Sequence, residues 1–159
     1  MISLIRVDDR LIHGQVMAVW VRALNITHII VVDDDTAADL FSQQVMRLAI
    51  PQGMALTISP LSTATESLRK ATKDGSHTLV LIRSIDTAVK LFARFPYKDL
   101  NVGGIGMSPG RKLLWRSIAA SQQEVDQLRG LRDAGVNVYL QMIPSEPRRS
   151  LDQALRATP

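Results

Sequence analysis

The 159-residue chain reads as an α/β protein of three α/β/α layers, built on a mostly parallel central sheet of about seven strands. Three observations carry that reading. Short β-branched runs alternate with amphipathic segments along nearly the whole length, the rhythm of a parallel sheet covered on both faces. Helix punctuation appears where the rhythm requires it, most clearly at Ser121 and Glu124, a capping box, and at Gly135, a stop. One link breaks the rhythm: Gly103-Gly104-Ile105-Gly106-Met107-Ser108-Pro109-Gly110 is too short for a crossover helix and predicts an antiparallel hairpin or a looped excursion at the sheet end.

The strand candidates in order are Ile2–Val7, His28–Asp33, Ala55–Ser59, His77–Ile82, Asp99–Val102, Lys112–Ile118 and Val136–Met142. Between them Val16, Trp20, Val21 and Leu24 recur at helical spacing, as do Leu40, Phe41, Val45 and Leu48, and later Val125, Leu128 and Leu131. The Val16/Trp20/Leu24 stripe reads as core. The tail after Pro144, with Pro147, Arg148, Arg149 and Pro159, reads as loosely held.

With 46% apolar and 21% charged residues the composition is that of a folded globular protein, and no repeat, linker or low-complexity tract divides it. One domain over residues 1–159 is expected. Charges within the first fifteen residues fit no secretory signal, and the longest apolar stretch, Val16 to Val21, is far short of the roughly 18 residues of a membrane span. There is no cysteine, so disulfides and thiolate metal sites are excluded, and a cytoplasmic location is the default. The net charge of +4 and pI near 9.9 invite a nucleic-acid reading. Against it, basic residues are scattered apart from Arg111-Lys112 and Arg148-Arg149, and aromatics are only 4%, too few for a base-stacking platform. A positive field suits a phosphorylated substrate or an acidic partner equally well.

The most informative segment is Asp8-Asp9-Arg10-Leu11-Ile12-His13-Gly14-Gln15-Val16, at the point where the first strand hands over to a helix. Open α/β sheets place their chemistry there. A histidine beside a glycine, in a loop crowded with charge, points to phosphate handling. A neutral imidazole offers a nucleophilic lone pair near physiological pH. Arg10 is positioned to bring a planar guanidinium to phosphate oxygens, Gly14 to permit a tight turn, and the amides from Gly14 onward, with Gln15 supporting the site, to form a helix N-terminus facing the anion. Catalysis of phosphoryl transfer is mostly positioning and charge stabilisation, so neither metal nor cofactor is expected.

The block from Arg6 to Val16 resembles the signature of the IIB subunits of the mannose/fructose/sorbose family of sugar phosphotransferase systems. Ordered companions strengthen the resemblance: Val31-Val32-Asp33-Asp34, Asn101-Val102-Gly103-Gly104, Pro109-Gly110-Arg111-Lys112 and Gly135-Val136-Asn137-Val138. It implies a seven-stranded sheet with one antiparallel strand. It also implies a phosphotransferase that accepts phosphate from a phosphohistidine on a IIA partner and passes it to a sugar held by the membrane components IIC and IID. The phosphorylated residue would be His13, on the δ nitrogen, with the protein associated peripherally with the inner face of the membrane through the permease. The chain departs from the family pattern at Arg83-Ser84-Ile85, where a Thr or Asn followed by proline is usual.

The remaining candidates have competing readings. Arg10 binds phosphate or merely pairs with Asp9; Arg6 supports the phosphate site or does not reach it. Asp8 and Asp9 orient Arg10 or His13, or serve as turn residues, and at most one carboxylate should face the anion. Asp35 reads as a helix cap and Asp33 as a cleft-rim residue. Arg83 either adds positive charge to the cleft or pairs with Asp33 or Asp86. His28 and His77 read as structural, and Arg111 and Lys112 as solvated. Two rival functions compete: a receiver domain phosphorylated on aspartate, disfavoured by Ile58-Ser59-Pro60 where its acceptor should stand, and a non-catalytic binding module, for which no P-loop lysine or clean glycine fingerprint is present.

Overall fold

A computed structural model describes residues 1–158. Nine strands form among the described residues: β1 (Ile2–Asp8), β2 (His28–Val32), β3 (Ala55–Ser59), β4 (Thr78–Ile82), β5 (Asp99–Gly104), β6 (Arg111–Trp115), β7 (Ile118–Ser121), β8 (Asn137–Leu140) and β9 (Arg149–Ser150). A π-helical stretch, Val16–Trp20, leads into α1 (Val21–Ala23). The other helices are α2 (Asp34–Ala37), α3 (Leu40–Ala49), α4 (Leu61–Ala71), α5 (Ile85–Arg94), α6 (Gln122–Asp133) and α7 (Leu151–Ala157).

Seven strands make the main sheet in the order β3-β2-β4-β1-β5-β8-β9, all parallel except β9, which runs antiparallel to β8. Its inner strands are apolar on both faces, as a doubly covered parallel sheet demands. Ile5, Val7, Val80, Ile82, Leu100 and Val102 pack under α4, α5, α6 and α7. Leu4, Ile29, Val31, Leu79 and Leu81 pack on the other face against Val16, Trp20 and Val21. The chain therefore leaves β1 onto one face and β5 onto the other. Between the carboxyl ends of such neighbours a crevice opens.

The structure corrects three sequence-based expectations. Lys112–Ile118 is not a strand of the sheet: β6 and β7 pair as a separate hairpin, turning at Arg116-Ser117, so the glycine-rich link is the start of an excursion. The antiparallel strand of the sheet lies instead in the tail, where β9 and α7 are held by a Ser150/Gln153 capping box and by burial of Leu151 and Ala154. The capping residue of α2 is Asp33, not Asp35: its carboxylate accepts the Thr36 amide at 3.0 Å.

Helix α3 is turned inside out. A helical apolar stripe ordinarily faces a core, yet Leu40, Phe41, Val45 and Leu48 are 75%, 73%, 51% and 87% exposed. Periodicity identifies the helix but not the direction its stripe looks. That direction is set here by polar contacts: the Gln43 amide donates to the carbonyls of Thr36 and Ala37, both at 3.1 Å, closing the open end of α2. Asp39 caps the first turn by accepting from the Phe41 amide. Truncating the exposed stripe should therefore cost little. Leu48→Ala is expected to change unfolding free energy by less than about 0.5 kcal/mol, whereas Leu68→Ala in α4 should cost about 2–5 kcal/mol, compared by urea denaturation.

Candidate functional site

Strand β1 ends in a tight turn. The Leu11 amide donates to the Asp8 carbonyl at 3.0 Å, and the Arg10 amide donates to the Asp8 carboxylate at 3.1 Å. Leu11 closes the turn with φ of 55°, a left-handed conformation that a leucine rarely accepts. Its side chain is fully buried among Val16, Trp20 and Leu81, and that packing holds the strained backbone. The reversal leaves Arg10 exposed and brings His13 back over the strand end. A helical turn starts at residue 14, with the Met17 amide donating to the His13 carbonyl at 3.0 Å.

Beneath the loop lies a buried ion pair. Arg6 and Asp8, both fully buried, meet through Arg6 Nε and Nη2 at 3.3 and 3.1 Å from Asp8 Oδ2. The remaining Arg6 donors are used as well: Nη1 reaches Asn101 Oδ1 at 2.7 Å and the Gln141 carbonyl at 3.0 Å, and Nη2 reaches the Met142 carbonyl at 3.3 Å. Trp20 lies against the guanidinium, 5.1 Å from its ring centre, and donates its own indole N–H to the Met142 carbonyl. Burial pulls the Arg6 pKa below the usual guanidinium value, and the Asp8 charge opposes that pull.

Asp8 Oδ2 also stands 3.0 Å from His13 Nε2. A carboxylate only accepts, so Nε2 carries the proton and Nδ1 keeps the lone pair. The imidazole is 14% exposed and the Arg10 side chain 58%, with Arg10 Nε 3.8 Å from Asp8 Oδ1. Arg10 and Gln15, on either side of His13 in sequence, line a cleft of about 550 Å³ together with Gly103, Gly104, Gly106, Ser117 and Met142.

The glycines have a steric cause. A Cβ on Gly103 would lie 1.8 Å from the Arg6 guanidinium carbon, and one on Gly104 would lie 2.9 Å from the Asp8 carboxyl. The backbone of β5 thus passes directly over the ion pair, as the close approach of this segment to the His13 loop requires. Gly106 is gripped from two directions: its amide donates to Asp9 Oδ2 at 2.7 Å and its carbonyl accepts from Arg111 Nη1 at 3.0 Å.

Several expected roles change. Arg6 does not reach the cleft; it is wholly buried one layer below, and acts on His13 only through Asp8. Asp9 lines the cleft, and its carboxylate accepts the Gly106 amide at 2.7 Å. Gly14 is not required by the turn, because its φ is ordinary and a Cβ there would meet nothing within 4 Å. Asp33 is buried as a helix cap and as the partner of Arg83 Nε at 3.1 Å, which takes it off the cleft rim. Arg83 braces the loop by donating to the Asp9 carbonyl at 3.1 Å. Arg111 is not solvated but forked onto Glu124, at 2.9 and 3.2 Å. Gln141 carried no signal at the sequence level; Leu11 and Asn101 were legible only as members of the family motifs, and Trp20 as core only.

His28 is structural, its ring 2.8 Å from Thr57 Oγ1. His77, in the loop before β4, bonds through its backbone to Thr27 and His28 at the start of β2.

A family model described as the PTS system sorbose subfamily IIB component matches residues 2–158. The chain belongs to this family. It is 29% identical over 156 residues to the PTS fructose-specific EIIB component of Bacillus subtilis, covering 98% of this chain and 96% of that protein. It is 31% identical over 147 residues to the sorbose-specific EIIB component of Klebsiella pneumoniae, covering 92% and 90%. The crystal structure of the IIBSor domain of the Klebsiella pneumoniae sorbose permease superposes with a TM-score of 0.89 at 29% identity, over 99% of this chain and 98% of that one. As a IIB component the protein is a phosphoryl carrier in sugar transport and a phosphotransferase, which removes the receiver and binding-module alternatives.

Two measurements check this geometry. Gly103→Ala should cost roughly 3–5 kcal/mol in urea unfolding, because expelling the Arg6 guanidinium strands Asp8 as an uncompensated buried charge. Burial lowers the His28 pKa below 6.5, with the Asp74 charge opposing. The unfolded chain then binds the proton more readily, so the stability contributed by neutral His28 is complete above that value and is lost as pH falls below it. Thermal unfolding between pH 7.5 and 5.5 should show a shallower loss in His28→Gln than in the wild type.

Proposed function

We propose that His13 carries the phosphate and that Nδ1 is its nucleophile. The observation that supports this most strongly is the 3.0 Å contact between Asp8 and Nε2. It keeps the proton on the inner nitrogen and leaves the outer one as a lone pair on a ring whose orientation is fixed. In the transfer, Nδ1 attacks phosphorus of a phosphohistidine on a IIA partner, the donor P–N bond breaks, and the donor nitrogen regains its electron pair. Asp8 stabilises the positive charge that develops on the ring, a carboxylate role familiar from other histidine sites. Arg10 meets the phosphoryl oxygens from the solvent side, and Gln15 adds an amide at the cleft wall. Arg6, Asp9 and Arg83 hold the loop without touching phosphate.

The second half-reaction passes the phosphate to a sugar held by a IIC/IID permease, a reading supported by the structural relative's description as a domain of a sorbose permease. Among the described residues no helix is long and apolar enough to cross a membrane. We therefore place the whole chain, residues 1–159, as one IIB domain on the cytoplasmic side, attached through that permease. The proposed transfer uses no cofactor.

Phosphorus NMR after incubation with phosphoenolpyruvate, the general relay proteins and a IIA protein tests the assignment. An acid-labile phosphohistidine resonance with the shift of the δ isomer is expected, and it should be absent in a folded His13→Ala. Labelling that survives His13→Ala would refute it. In rapid-quench kinetics Asp8→Asn should slow transfer by roughly 10²- to 10⁴-fold by disturbing the tautomer. Arg10→Ala should slow it by about 10²-fold, with Arg10→Lys only partly restoring the rate, because an ammonium lacks the planar fork.

A further inference from the structure

A second basic concavity lies next to the cleft lined by Arg10 and Gln15. Ser117 lines the cleft, while its chain neighbour Arg116 lines a separate pocket of about 590 Å³ with Trp115, Arg148, Arg149, Gln153 and Arg156. Four arginines from the hairpin turn, the approach to β9, β9 itself and α7 therefore converge on one space. Among the described residues only Arg116 has a carboxylate partner, Glu146 at 3.1 Å; Arg148, Arg149 and Arg156 have none within 4 Å.

Four charges of one sign held together with a single carboxylate repel, so the arrangement calls for a further anion. Three of the guanidiniums are already ordered. Arg148 lies 4.3 Å over the Tyr139 ring, and Arg116 and Arg149 lie 4.9 and 5.4 Å over the Trp115 ring. Stacking fixes the planar forks and lowers the entropy cost of closing them on a ligand. Arg116 reaches its position from a left-handed backbone, φ 51°, a conformation rarely tolerated by a long side chain. The volume suits a small molecule, about 300–1,000 Å³ being usual for such sites. Guanidinium forks match phosphate in particular.

We propose that this pocket binds a small phosphate-bearing dianion, either a sugar phosphate or free inorganic phosphate, at a site separate from His13. Binding here does not depend on His13 being the phosphoacceptor. Trp115 supplies the readout, because the other tryptophan, Trp20, is buried beside Arg6.

Tryptophan fluorescence of the full chain is titrated at pH 7.5 and constant ionic strength with glucose 6-phosphate, with inorganic phosphate, and with potassium chloride as the control. A saturable change with either phosphate compound and none with chloride is expected, retained in His13→Ala and lost in Trp115→Phe. The double variant Arg148→Ser/Arg149→Ser, shown to be folded by an unchanged far-ultraviolet circular dichroism spectrum, should bind at least tenfold more weakly. Tighter binding of glucose 6-phosphate than of phosphate would identify the sugar phosphate as ligand, and equal binding would identify the phosphate group alone. An equal response to chloride, or affinity unchanged in the double variant, would overturn the proposal. Stronger binding of a glutamate-rich peptide than of either phosphate compound would overturn it in favour of a protein-docking surface.

Discussion

The buried pair between Arg6 and Asp8 is the constraint around which the rest of this site is arranged. Two charges taken out of water are expensive, and such a pair is seldom a net source of stability. What makes it tolerable is complete satisfaction: every guanidinium nitrogen of Arg6 finds an acceptor among Asp8, Asn101 and the carbonyls of Gln141 and Met142. What it provides is position. Asp8, held from below by Arg6 and through Oδ1 by the Arg10 amide, presents Oδ2 to His13. The missing side chains at Gly103 and Gly104 are the space the pair occupies.

Above the pair the loop is braced sideways. Asp9 clasps Gly106, Arg83 ties the Asp9 carbonyl to the end of β4, and Arg111 anchors the far side of Gly106 to Glu124 on α6. The imidazole is thereby fixed, while the guanidinium of Arg10 remains in solvent. The proposed transfer, from a donor protein and then to a sugar, would use this division: the ring nitrogen would stay in register with the strands while the Arg10 charge extends outward.

Much of this was legible in the residues themselves, and the reasons for the failures are specific. The parallel core strands were visible because a doubly covered strand is a short β-branched run, and α6 because Ser121, Glu124 and Gly135 punctuate it locally. The His13 loop stood out because a histidine and several charges crowd the carboxyl end of a strand, where open α/β sheets place their chemistry. Three things had no local signature. The outward face of α3 follows from contacts of Gln43 with α2 rather than from its own periodicity. Strand β9 is only two residues long and is recruited by β8. The inward turn of Arg6 depends on carbonyls more than a hundred residues away, so nothing near it in sequence separates a buried arginine from a phosphate ligand.

That last distance bears on biosynthesis. Arg6 is made 135 and 136 residues before its acceptors on Gln141 and Met142. Until β8 has docked, Arg6 lacks two of its carbonyls, and Asp8 has no settled support beneath it. Contacts that close so long a loop form late. A chain truncated before β8 carries the whole histidine loop in sequence but lacks two of the contacts that hold Arg6 beneath Asp8.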